Sequence, residues 1–436
     1  FWLKALKRGA HHLGARMASA SVAEAQEPRP RAPPRRTNLK AIPPRASLRY
    51  TARWPKARLD AIRLQGDPPA DRVAAELHDH HGGLTRIHDL LSTVRRLAAE
   101  EPGSRGAVFR EFLEHSALVP TWADRAAIER GQRLQAVHLP FMGLSLLSGS
   151  LVGGAVYSTA AAVTALAGNL TADPTRRVNE TGLLLGALAF PGSLVDAGSE
   201  AHDSLTRVRL LHAALRHWLP RSGRLERHRG MVPPHVYVEG EVPLNQQDLA
   251  ITLGIFCYTN LRSLRRMGVV FPSADIACYV QMWRYAGHVL GISEELLPVT
   301  VEDQEEFMLC SMLHQGSPET INSEKTKQFI DAFAQAASKY ARGVLPLGVM
   351  RTYMHQLTRY LNGNEYIEGM GFDDLGDGHW SLRLTRSVGY LFGTLLPRLP
   401  LGEAALFHLH TRMLRGQLKR RGTPVGHAAG SGKSRL

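Results

Sequence analysis

From Leu139 to Ala172 the chain carries no charged side chain, and this run constrains the fold more than any other feature. By length it could cross a bilayer as one helix. Its punctuation argues for burial instead. Pro140, Gly143, Gly149, Gly153, Gly154 and Gly168 interrupt it, and five Ser or Thr residues precede Ala160. No second strong candidate and no basic flank accompany it. The run therefore reads as two tightly packed, buried helices. Their small residues would let a neighbouring helix, or a flat cofactor, approach closely.

The rest of the sequence supplies helices to surround such a segment. Helical patterns begin near Asp71 and continue at Phe109–His115, and Pro120 and Trp122 precede another through Arg133. Residues 244–268, 273–293, 302–314, 322–342, 346–361 and 381–419 also read mostly as helix. The best short strand is Val236–Val242, and no fixed-period repeat is visible. The expected fold is mainly α, one large helical domain over 65–420. A basic arm at 1–60 and a Gly-rich tail at 421–436 are expected to be disordered.

Charge separates arm from body. The formal net charge of the 436 residues is +14. Residues 1–60 hold fourteen Lys/Arg and three Asp/Glu, or +11, which leaves +3 for the remainder. A near-neutral body lacks the basic face that nucleic-acid binding requires, so no nucleic-acid partner is expected. The arm, with EPRPRAPPRR at 27–36, suits an organelle transit peptide or a plain disordered extension equally well. An intracellular location is expected, with organelle targeting and membrane association both open. Cys257, Cys278 and Cys310 lie far apart and form neither a CxxC pair nor a metal spacing.

Two segments carry chemistry. In RVRLLHAALRHWL (207–219), Val208, Leu211, Leu215 and Leu219 make one apolar stripe at helical spacing. His212 sits at its edge, with Arg209 three residues before and Arg216 four after, both on its polar side. An imidazole facing a buried space beside two guanidinium groups suits haem, with iron on the ring and propionates on the arginines. On spacing alone, a core-edge histidine with two solvated arginines is the commoner arrangement. In ADPTRRVNETGLLLGALAF (172–190), Asp173-Pro174 reads as a helix start. Arg177, Glu180 and Thr181 then share one face of an otherwise greasy helix. Either they are buried and functional, or Arg177 and Glu180 form an ordinary ion pair on the first turn.

Taken together, several blocks resemble the family of the latex-clearing rubber oxygenases and the ER-bound oxygenases of mycophenolic acid biosynthesis. They are VPTWADRAAIERGQ (119–132), RRVNET (176–181), RVRLLHAALR (207–216), VPLNQQDLAITLGIF (242–256) and YVQMWRYAGHVLGI (279–292). The resemblance spans about Val119 to Leu297. It implies a helical fold around one b-type haem, His212 as axial iron ligand, and Arg209 and Arg216 as its flanking arginines. It also implies Arg177 and Thr181 on the opposite haem face, with O2 and a hydrophobic, prenyl-type small molecule as substrates of a C=C cleavage. Two departures stand out. The rubber oxygenases carry a lysine where this chain has Glu180. They also use an upstream carboxylate as base, and here no Asp or Glu occurs between Glu129 and Asp173. Rubber itself is therefore not the expected substrate, and the identity of the base stays open; Glu180 could take the role, because an apolar pocket raises a carboxyl pKa.

Two other readings stay open at this level: a haem-binding sensor or pseudoenzyme, and a cofactor-free, membrane-associated helical protein. The sequence also carries weaker signals. His78, His80, His81 and His88 could offer ligands to a divalent metal, although a solvated helix end is the simpler reading. GSGKS at 430–434 lacks the leading glycine and the preceding strand of a phosphate loop. Asn169 and Asn179 open glycosylation-type triplets in segments expected to be buried. Asn245 reads as a helix cap with Asp248 at its third position, and Trp283 and His288 read as core packing.

Overall fold

The computed structural model describes residues 43–81, 89–154, 174–316, 346–367 and 378–420, with isolated positions such as Tyr157 and Thr159 between them. For 174–180 it gives the backbone alone. The arm up to residue 42 (apart from Leu39), most of the predicted 322–342 helix, the 421–436 tail, His88 and Asn169 lie outside the described residues. The described residues belong to the unit Thr37–Leu436.

The architecture is helical, as the periodicity predicts, and the described residues contain no strand beyond a single bridge. In chain order the elements are α1 (Lys56–Arg63), α2 (Pro68–His80), α3 (Leu90–Glu100), α4 (Gly103–Ala117), α5 (Arg125–Val137) and α6 (Leu139–Ser145). They continue with α7 (Pro174–Leu188), α8 (Glu200–Arg221), α9 (Leu225–Met231), α10 (Gln246–Gly254), α11 (Asn260–Arg266) and α12 (Ser273–Val289). The last four are α13 (Val301–Gln315), α14 (Leu347–Asn362), α15 (Trp380–Tyr390) and α16 (Gly402–Arg420).

Two apolar cores form. The larger gathers α1, α10, α11, α12 and α13 around Tyr258, Tyr279, Trp283 and Phe307. The smaller joins α2, α3, α4 and α8 through Val73, Val94, Phe109, Phe112, Leu210 and Ala213. Helix α8 serves both, with Leu205 in the first and Leu210 in the second. The helix that carries His212 is thus held along its length between two packed bodies.

Glycine makes the closest approaches. A methyl at Gly131 on α5 would stand 2.6 Å from the Cys278 carbonyl oxygen and 2.6 Å from Met282 Cβ on α12. The uncharged run behaves as its small residues predict. From Leu139 to Gly154 it is helical, with a wide π-turn at Leu146–Ser150. A side chain at Gly149, Gly153 or Gly154 would strike Ser263, Asn362 or Ile255. Asn362 Nδ2 donates to the Ser148 carbonyl (2.9 Å). The turn between α5 and the Leu139–Gly154 segment bends the path by 82°, and no single described helix is long and apolar enough to cross a membrane. Residues 155, 156, 158 and 160–172 of the run lie outside the described residues.

Three expectations need correction. Val236–Val242 is not a strand: it is a chain of turns whose Val236 packs with Val232, and the Val236 carbonyl accepts from Arg63. β-propensity alone forms no strand where no second strand is there to pair with. The 381–419 helix continues past Tyr390 as a π-turn at Leu391–Leu395 and is then broken by a 3₁₀ turn containing Pro397 and by Pro400. Helix formation starts at α1, before Asp71. Asn245 caps α10 as expected, its Oδ1 accepting from the Asp248 N–H (3.0 Å). Trp283 stacks on Phe256 in the core, whereas His288 sits half-buried at the end of α12, hydrogen-bonded to the Leu118 carbonyl (3.0 Å).

Candidate functional site

Helix α8 is 22 residues long, and its apolar stripe is fully buried only in its second half, at Leu215 and Leu219. Val208 and Leu211 are half-buried, as is His212. Arg209 and Arg216, beside the histidine on the polar side, are 1% and 6% exposed. The polar side of this helix is therefore turned inward, and its charges must be met by partners.

The partners come from the start of α2. Arg209 makes a two-pronged ion pair with Asp67, Nε to Oδ2 at 2.6 Å and Nη2 to Oδ1 at 2.8 Å. Both side chains are 2% exposed. The guanidinium also lies over the Phe112 ring, 5.3 Å from its centroid. Arg216 donates from Nε to Asp71 Oδ1 (2.7 Å) and from Nη1 to the Leu244 carbonyl (3.2 Å). Its Nη2 is buried with no hydrogen-bond partner among the described residues. Asp71 in turn accepts from the Asp67 N–H (2.8 Å), so one turn of α2 organises both arginines.

The block at 242–256 completes this frame. Leu244 adopts φ +53, a left-handed conformation that is costly for a non-glycine residue, and so presents its carbonyl to Arg216. Gln246 Nε2 donates to the Gly66 and Gly291 carbonyls (2.8 and 3.0 Å), while its Oε1 accepts from the Ser293 N–H (2.9 Å). Gly291, at φ +78, lies so close that a side chain there would fall on Asp67 Oδ2 and Arg209 Nε. Three blocks that carry the family resemblance, 207–216, 242–256 and 279–292, thus converge on one buried ion pair.

Helix α7 packs directly against α8. It carries Arg177, Glu180 and Thr181; Thr181 is half-buried, and the side chains of Arg177 and Glu180 lie outside the described residues. Beyond them Leu183, Leu184 and Leu185 are only half-buried, and a methyl on Gly182 would meet nothing within 4 Å. Sequence reasoning found the two helices but missed Asp67, Asp71 and Gly291. The signals were present: an Asp-Pro-Pro helix start at 67–69, and a glycine just past the end of α12.

The protein-family model "ER-bound oxygenase mpaB/B'/Rubber oxygenase, catalytic domain" matches residues 136–399. The chain belongs to this family. The match begins later than the block at 119–132 and runs some hundred residues beyond Leu297. A curated member, the rubber oxygenase of Streptomyces sp. (strain K30), is 29% identical over 235 residues, or 54% of this chain. The match covers 55% of that relative, so the chain spans about half the length of the relative it matches. Among solved structures, latex clearing protein LCP in its closed state aligns with a TM-score of 0.55 and 21% identity. That alignment covers 81% of this chain and 90% of the other, and supports the helical fold.

One further group of ligating side chains lies nearby. His78, Asp79 and His217 bring their ligand atoms within 4.8 Å of one another. His217 stands five residues beyond His212, which at helical spacing turns it about 140° away from that ring. The cluster therefore belongs to the α2–α8 surface, where His78 Nδ1 already contacts Asp79 Oδ1 (2.9 Å).

Proposed function

We propose that this family member is a haem-dependent oxygenase that uses O2 to cleave C=C bonds in a hydrophobic, prenyl-type substrate, with His212 as the residue that would hold the iron of haem b. The observation that carries the reading is the packing of α7 against α8. It makes neighbours of the two segments in which polar residues interrupt an apolar helix.

The residues present suit the cofactor. His212 is half-buried on α8, and an imidazole nitrogen is a common ligand for haem iron. Arg216 keeps a buried donor unsatisfied, and a propionate would complete it. Arg209 differs, because Asp67 already engages two of its nitrogens. We assign Arg209 to fixing the rotation of α8, and hence the direction of His212, and Arg216 to the propionate. The half-open leucines of α7 and the space at Gly182 offer an apolar wall for a flat macrocycle or a prenyl chain.

A bound haem would supply the redox chemistry that lets O2 react with an alkene. The chain's own residues do the rest. Arg177 and Thr181 donate hydrogen bonds to negative charge that develops on oxygen. Glu180, which stands where the rubber oxygenases have lysine, would take a proton from the allylic carbon onto its carboxylate and give it back before the two carbonyl products leave, so no net proton is consumed, and the apolar wall excludes water and orients the alkene. The test is O2 uptake with a squalene-type polyprenoid, with carbonyl products followed by mass spectrometry. The wild type consumes O2 and forms carbonyls, and Glu180→Gln is slower by about 100-fold or more. A haem-loaded wild type that binds O2 but leaves the alkene intact would favour the sensor reading. A fully active Glu180→Gln would remove Glu180 from the mechanism.

A further inference from the structure

Nine of the nineteen large apolar side chains that the described residues expose fall between Trp380 and Leu401. On α15 and the π-turn that continues it, Trp380, Leu384, Val388, Leu391 and Leu395 occupy a sector about 80° wide at helical spacing. The opposite face of α15 is firmly seated. A methyl at Gly389 would strike the Met267 carbonyl, and one at Gly268 would strike the Arg386 carbonyl. Thr394 Oγ1 accepts from the Val270 N–H (2.8 Å) and donates to the Gly268 carbonyl (3.0 Å). The ridge is thus a fixed part of the body. Past it, Leu401 is 83% exposed and holds φ +64, a strained conformation for a leucine.

Along one flank of this ridge runs a groove of about 590 Å³. Arg265, Arg266, Arg383 and Arg386 line it with Tyr360 and Tyr390, and no carboxylate is among its lining residues. Arg266 is anchored over the Tyr360 ring (4.3 Å) and donates to the Tyr360 carbonyl (2.9 Å). Among the described residues, Arg265, Arg383 and Arg386 are in no ion pair, in contrast to the arginines of α5 and α8. Unneutralised positive charge bordering an exposed apolar ridge is the surface of an interfacial helix, complementary to acyl chains beneath and anionic phosphates above.

We propose that α15 is a membrane-docking element. It lies in the plane of an anionic lipid surface, with the Trp380–Leu395 ridge among the acyl chains and the arginine groove receiving lipid phosphates. This inference is independent of the haem reading, because no residue of α7 or α8 takes part.

The experiment uses the full chain and vesicles of phosphatidylcholine, alone or as four parts to one part phosphatidylserine. The protein is expected to co-sediment with the anionic vesicles and to be released by salt. Arg383→Gln with Arg386→Gln should weaken binding about 30-fold. Leu384→Ser and Leu391→Ser should each weaken it by about tenfold or more. Brominated lipid should quench fluorescence in the wild type, with the quenched part missing in Trp380→Phe. All these positions are exposed, and unchanged far-UV circular dichroism will show that the variants fold. The basic 1–60 arm could also hold an anionic vesicle, so binding that the α15 variants leave unchanged overturns the proposal. It is overturned equally by tight binding to pure phosphatidylcholine. Absent vesicle binding, together with a dimer that the leucine variants split, would assign the ridge to a second copy of the chain.

Discussion

Replacing Asp67 by alanine would leave the Arg209 guanidinium sealed inside the protein without its counter-charge. Both side chains are 2% exposed, and the two nitrogen–oxygen contacts are 2.6 and 2.8 Å, so little solvent is available to compensate. Removing one member of such a pair costs about 3–5 kcal/mol, a large share of the roughly 5–15 kcal/mol that holds a typical domain folded. The Arg216–Asp71 contact should matter less, because Asp71 is 35% exposed and water can take its place. The assay is urea unfolding followed by circular dichroism, on Asp67→Ala, Asp71→Ala, and the double variant Asp67→Leu/Arg209→Met. Asp67→Ala should lose about 3–5 kcal/mol, and the double variant should recover most of it, because a matched apolar pair has no buried charge to desolvate. A loss below about 1 kcal/mol in Asp67→Ala would mean that Arg209 finds another partner, and the claim that this pair fixes α8 would fail.

Three further expectations follow from individual contacts. Burial alone would raise the Asp203 carboxyl, but the nearby His202 ring (3.9 Å) and two hydrogen bonds from Arg95 (2.8 and 2.6 Å) outweigh it and hold the group well below the usual carboxylate range. Its stabilising effect is therefore complete above about pH 3.9 and fades as pH falls toward its lowered value, so Asp203→Asn should flatten the acid limb of the stability profile. Gly291→Ala should destabilise severely, since its φ of +78 and its contact with the Asp67–Arg209 pair both exclude a methyl; a thermal midpoint equal to wild type would contradict this. Asn245→Ala removes the cap on α10 and should cost about 1 kcal/mol in the same urea assay, with no change in unfolding slope.

Much of the helical frame is legible in the sequence because apolar spacing and helix caps are local properties. α12, α13 and α14 fall where their periodicity puts them, and Asn245 caps where its position predicts. The small residues of the uncharged run also meet close neighbours as their size implies. What resists reading is the pairing of distant charges. Arg209 and Asp67 are 142 positions apart, and nothing in RVRLLHAALR says that its arginines face inward. A helical wheel separates polar from apolar sides but cannot tell a solvated polar side from one buried against a second core. The same limit applies to 236–242, where strand-forming residues meet no partner strand, and to α15, where helical spacing does not say that the apolar stripe faces outward.

The central claim is that His212 holds an iron porphyrin, and an absorption spectrum tests it most directly. Wild type, His212→Ala and His217→Ala should be expressed with ample haem, purified, and then reconstituted. Wild type and His217→Ala, whose altered ring points elsewhere on α8, should show a Soret band that His212→Ala loses. A wild type with no Soret band even after reconstitution, or a His212→Ala protein that keeps the wild-type spectrum, would contradict the account.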